Sequence, residues 1–172
     1  MTSEADPLTL VLVGPMAAGK TSVGRRVARR LGVPFVDTDK RVVSAHGPIP
    51  KIFAEFGESR FRELEREAVA AARAAGGVIS LGGGAVTDAD TRALLAVHPV
   101  VFLTVAPEAV VHRIGGGGRP LLAGDDPVTA WTRIFEERRG WYEEVASVTV
   151  DTSRRPMQRI AEEIAAWRRG LE

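Results

Sequence analysis

The 172-residue chain contains no cysteine. That excludes disulfides, thiolate metal sites and thiol nucleophiles, and it fits a reducing cytosol. Lysine is nearly as scarce, at 3 residues against 20 arginines. Histidine is limited to His46, His98 and His112, whose spacing matches no metal-ligand pattern. An excess of charge is also missing. The formal net charge is +1, which argues against nucleic acid as a bulk partner. No apolar run approaches the ~18 residues of a membrane helix. Met1 to Pro7 is polar and acidic, unlike a secretory signal. The expectation is a cytoplasmic, monomeric protein with no membrane or nucleic-acid partner.

What remains is ordinary for a globular protein: 45% hydrophobic and 26% charged residues. The length suits one domain, 1–172, with a sizeable core. Short apolar runs alternate with helical stretches. Strands are expected at Leu8–Val13, Pro34–Val36, Val78–Leu81, Val100–Val105 and Ser147–Val150. Several are continuous Val/Leu/Ile runs, the mark of a parallel sheet covered on both faces. Between them, Phe61, Leu64, Ala68, Ala71, Ala72 and Ala75 share one helical face, as do Met157, Ile160, Ala161, Ile164 and Trp167. The pattern predicts a doubly wound α/β domain with ligands at the carboxyl ends of the strands.

The most specific segment is Gly14-Pro15-Met16-Ala17-Ala18-Gly19-Lys20-Thr21, which fills every fixed position of the phosphate-binding pattern G-x-x-x-x-G-K-[ST]. It follows a predicted strand and precedes a predicted helix, Ser22 to Leu31. The glycines let successive N–H groups turn inward, and the helix N-terminus adds partial positive charge. ATP phosphates would be cradled by Gly14, Ala17, Ala18, Gly19, Lys20, Thr21 and Ser22. Lys20 is long enough to follow the β- and γ-phosphates, and Thr21 can ligate Mg²⁺.

Three further segments can carry chemistry. The second strand ends in Asp37-Thr38-Asp39, where one carboxylate can serve Mg²⁺ and the other an acceptor hydroxyl. Thr38 or Asp39 can equally cap a helix starting at Lys40. Leu81-Gly82-Gly83-Gly84 closes the third strand with more glycine than a turn requires, which favours close ligand approach. The run from Gly115 to Asp126 reads as a loop, either a glycine-hinged lid carrying Arg119 or a plain surface loop. Arg62, Arg119, Arg138 and Arg139 are candidate anion ligands, although a single arginine among twenty is ordinarily a solvated charge.

Taken in order, GPMAAGKTSVGRRVARRLG, FVDTD, IFAEFGESRFRELE, SLGGGAV, RPLLA and an arginine four residues before Tyr142 resemble the shikimate kinase family, from about Leu8 to the C-terminal helix. The resemblance implies a P-loop kinase with a five-stranded parallel sheet flanked by helices on both faces, a mobile lid at about 112–126 and a shikimate-binding helical segment at about 38–66. It implies phosphorylation of the shikimate 3-hydroxyl by ATP with Mg²⁺, feeding chorismate and the aromatic amino acids. It places shikimate on Asp39, Arg62, Gly83, Gly84 and Arg138, with the two arginines on its carboxylate and an apolar wall from Ile49, Phe53 and Phe61. Lys20, Asp39 and Arg119 would be catalytic, Thr21 and Asp37 would serve the metal, and Arg113, Arg119, Arg155 and Pro156 would join the ATP site. Two departures stand out. His46-Gly47-Pro48-Ile49-Pro50-Lys51 replaces the usual G-x-S-I entry, and the lid is about one residue shorter than common forms. Another small-molecule kinase, such as a gluconate kinase, and a non-catalytic nucleotide-binding module are the alternatives.

Overall fold

The computed structural model describes residues 8–114 and 126–172. The sheet has five parallel strands in the order β2-β3-β1-β4-β5, formed by β1 (Thr9–Val13), β2 (Phe35–Asp37), β3 (Gly77–Ser80), β4 (Val100–Thr104) and β5 (Val148–Asp151). Every residue of β1 and β3 is buried, as the continuous apolar runs require for strands covered on both faces. Helices α1 (Lys20–Leu31), α2 (Thr38–His46), α3 (Ile49–Ala75), α4 (Ala89–Leu95), α5 (Pro107–Val110), α6 (Pro127–Val145) and α7 (Met157–Arg169) connect the strands. A short 3-10 turn at Ala85–Thr87 follows β3. Among the described residues no helix is long and apolar enough to cross a membrane.

The chain leaves central β1 for edge strand β2, returns to β3, and only then crosses to β4 on the other side. This reversal opens a crevice at the carboxyl ends of β1 and β3. The phosphate loop and the glycine run both emerge there. α7 packs against α1 with Ile160, Ala161 and Ile164 buried, and its first residue, Met157, lies against Gly19 of the loop.

A second, smaller apolar cluster joins Val42, Ile52, Phe61 and Leu64, with Ile49, Phe53 and Ala68 packed on it. It lies between α2 and α3 and gives the segment 38–66 a core of its own. α3 bends at Gly57, whose φ of 82° and ψ of 171° are non-helical. Pro48 caps α3 and Pro50 sits in its first turn, where no intrahelical N–H is needed. The unusual prolines therefore start a helix.

Two local expectations are corrected. α2 begins at Thr38, and its cap is Asp37, whose Oδ1 accepts from Lys40 N at 3.2 Å. On α3, Ala71 and Ala75 are exposed, whereas Glu65 and Val69 are buried. The buried face is rotated because the helix turns a carboxylate into the crevice, which hydrophobic periodicity does not anticipate.

Candidate active site

The phosphate loop is held open from outside. Trp131 Nε1 donates to Met16 O at 2.7 Å, Arg113 Nη1 to Ala17 O at 3.0 Å and Thr152 Oγ1 to Ala18 O at 2.7 Å. These bonds hold three successive carbonyls from outside the loop, and within it Ala18 N donates to Pro15 O at 3.3 Å; a loop braced in this way can turn backbone amides toward an anion. Ala17 alone among the described non-glycine residues has a positive φ, 67°, and Gly19 sits at 93°. Gly14 has no room for a Cβ against the Leu103 carbonyl. Lys20 Nζ folds over the loop, donating to Gly14 O at 2.8 Å and Pro15 O at 2.9 Å.

Beyond the loop lies a cavity of about 550 Å³. It is lined by Ala17, Gly19, Lys20, Thr21 and Ser22, by Asp37 and Asp39, by Arg62 and Arg138, and by Gly82, Gly83 and Gly84. Ile49, Phe53 and Phe61 form its apolar side, with the two phenylalanine rings 5.0 Å apart. Segments distant in sequence thus converge on one space. Arg138 is 8% exposed and lines the cavity, whereas Arg139 is exposed and paired with Glu136 at 2.8 Å. Gly14 and Ala18 lie behind the lining. Arg113 is clamped to Thr152 O at 2.6 Å. Arg155 and Pro156 are exposed in the β5–α7 turn, and Arg155 pairs with Glu163. Arg119 and most of the span 112–126 lie outside the described residues.

Thr21 Oγ1 donates to Asp37 Oδ2 at 3.0 Å. A hydroxyl and a carboxylate side by side are hard oxygen donors that suit Mg²⁺. That ion commonly takes one or two protein oxygens and completes its shell with phosphates and water. Asp39 is pushed above the usual carboxylate range by burial and then by Asp37, while Lys20 and Arg62 pull the other way.

Sequence reasoning named Arg62 without its partners. Its side chain is no solvated charge: it lines the cavity and is 12% exposed. Nη1 binds Glu65 Oε1 at 2.8 Å and Nη2 binds Glu58 Oε1 at 3.2 Å. Burial pushes the Glu65 carboxyl up to about 7, against the downward pull of Arg62. Glu65 lies in the segment IFAEFGESRFRELE, where nothing local marks it as buried. Tyr142 lies four residues after Arg138 on α6. Its hydroxyl donates to Gly83 O, its ring stacks on Phe102 at 5.1 Å, and burial pushes its pKa up to about 12. Thr152 and Trp131 carried no signal, because their partners are backbone carbonyls of a remote loop.

Comparison with known proteins points to one family. A family model described as shikimate kinase matches residues 16–168. A shikimate kinase of Salinispora arenicola is 50% identical over 159 residues, covering 91% of this chain and 95% of the relative. One from Streptomyces coelicolor is 47% identical over 156 residues, covering 89% and 91%. The structure of the Acinetobacter baumannii shikimate kinase in complex with shikimate superposes with a TM-score of 0.89 at 34% identity, over 96% of this chain and 95% of the other.

Proposed function

This chain belongs to the shikimate kinase family and phosphorylates shikimate with ATP; from that premise we propose how its own residues divide the work. The observation that carries the reading is the single cavity joining the phosphate loop to Asp39, Arg62, Arg138 and the Gly83–Gly84 backbone. Backbone N–H groups of Gly14, Ala17, Ala18, Gly19, Lys20, Thr21 and Ser22 hold the ATP phosphates, and Lys20 leaves the Gly14 and Pro15 carbonyls to follow the γ-phosphate. Arg113, Arg155 and Pro156 attend the adenine, and Arg119 supplies charge from the 112–126 span. Arg62 and Arg138 grip the shikimate carboxylate, a task suited to guanidinium forks. This fixes the ring so that its 3-hydroxyl faces the phosphates.

Asp39 accepts the proton of that hydroxyl as its oxygen bonds to the γ-phosphorus and the bond to the departing ADP oxygen breaks. Burial of Asp39 supports the role, because a carboxylate held above its usual range is a better base. Thr21 and Asp37 are the residues that would hold Mg²⁺, which when bound neutralises charge on the β- and γ-phosphates. The phosphate loop and the segment 38–66 share one crevice, which supports one functional domain over 1–172, expected to act as a monomer.

The test is ADP release from the purified protein with shikimate, with gluconate and with no acceptor, and phosphorus NMR of the product. Shikimate-dependent ADP formation with phosphate on the 3-oxygen is expected. ADP release that ignores shikimate, or that follows gluconate, refutes the reading.

A further inference from the structure

Two buried polar atoms in the cavity lining, Arg62 Nε and one oxygen of Glu65, have no hydrogen-bond partner among the described residues. Oε1 accepts from Arg62 at 2.8 Å. Oε2 is buried with no hydrogen-bond partner among the described residues. It faces Gly82, where the position of an ideal Cβ lies 2.8 Å from Glu65 Oε2 and 2.5 Å from Asp39 Oδ1. Two carboxyl oxygens therefore flank one glycine, and the Glu65 side chain is only 3% exposed. An ionised carboxylate with a bare buried oxygen is costly there, whereas a neutral carboxyl carries a donor proton on that oxygen.

The charges facing Glu65 come from each neighbouring element. Arg62, with Glu58 behind it, lies on α3. Asp39, with Lys20 beyond it, lies on α2. Arg138 and the Tyr142 hydroxyl come from α6. Of these, Arg62 and Arg138 favour the ionised form of Glu65, and Asp39 opposes it. Both favouring cations are the groups assigned above to the substrate carboxylate. A carboxylate docked on them shares their positive charge, adds a negative one and displaces water from the cavity. Each change disfavours ionised Glu65.

Resting on that assignment of Arg62 and Arg138, we propose that Glu65 takes up a proton when shikimate binds, so that it enters the complex neutral while Oε1 still holds Arg62. Free Glu65 titrates at about 7, so near neutral pH a fraction of the molecules must draw this proton from solvent. Shikimate affinity then falls as pH rises above 7, by up to about tenfold per pH unit.

The test is calorimetry of shikimate binding to the intact protein at pH 7.5, without nucleotide, in buffers of low and high ionisation enthalpy. Uptake on the order of half a proton per shikimate is expected. Glu65→Gln keeps an acceptor for Arg62 but has no proton to gain. It should bind with no uptake and with a Kd flat from about pH 6.5 to 8.5, while Glu58→Gln should retain the uptake. Equal heats in both buffers for the wild type, or uptake that persists in Glu65→Gln, overturns the inference. Should Glu65→Gln misfold, the carbon-13 carboxyl shift of Glu65 in the wild type decides. It should move to the protonated position on adding shikimate, and no movement overturns the inference. Binding without uptake sinks this inference alone. Absence of binding at millimolar shikimate sinks the reading it rests on as well.

Discussion

Replacing Arg62 by alanine removes a side chain 12% exposed from a carboxylate 3% exposed. Breaking a buried pair by deleting one partner costs about 3–5 kcal/mol when the other charge stays ionised. Water entering the cavity places this case near the low end, at about 3 kcal/mol. The cost depends on pH. Glu65 titrates at about 7 when folded, against 4.5 as its ordinary value. Its contribution to stability is therefore complete below 4.5 and is lost as pH rises through 7. Removing Arg62, which pulls that value down, pushes it higher and extends the loss to more alkaline pH. At pH 5.5 Glu65 is neutral in both proteins, and the variant forfeits little more than one hydrogen bond, about 1 kcal/mol. At pH 8.5 the difference should approach the full ~3 kcal/mol. Urea unfolding followed by tryptophan fluorescence at both pH values measures this. Adding Glu65→Gln to Arg62→Ala should abolish most of the alkaline penalty. It should leave shikimate binding weakened by roughly tenfold to a hundredfold, with ATP binding little changed. A penalty equal at pH 5.5 and 8.5 would refute the argument that Arg62 compensates a buried charge.

Lys20→Ala should lower kcat on the order of 10² with a normal circular dichroism spectrum, since it removes one preorganised contact to the transferring phosphate; near-native activity would reject the phosphate-loop role. Gly82→Ala inserts a methyl 2.5 Å from Asp39 Oδ1 and 2.8 Å from Glu65 Oε2. Initial rates should show kcat/KM for shikimate falling at least about tenfold, with ATP binding by calorimetry nearly unchanged. Thr152→Val removes the hydroxyl that holds Ala18 O at 2.7 Å and accepts from Arg113 at 3.2 Å. The KM for ATP should rise about tenfold or less and that for shikimate should stay level; an equal rise in both would show that Thr152 acts on general stability.

The fold and the phosphate loop could be read along the chain because their signals are local. Continuous apolar runs such as Val100–Thr104 identify strands covered on both faces, and Gly14 to Thr21 carries its own backbone requirements in its glycines. The resemblance also named Asp39, Arg62, Gly83, Gly84 and Arg138, and these line one cavity. Folding was needed to reveal what holds them. Thr152 and Trp131 bind loop carbonyls 134 and 115 residues away, and nothing in either residue's neighbourhood announces such a partner. Glu65 illustrates the difference best. As a letter on a helix it is a charge on a solvated face. Only the rotation of α3 toward the glycine run buries it, pairs one oxygen with Arg62 and leaves the other beside Asp39. The ionisation of a carboxylate depends on the solvent and charges that surround it in three dimensions, and spacing along the chain does not encode these.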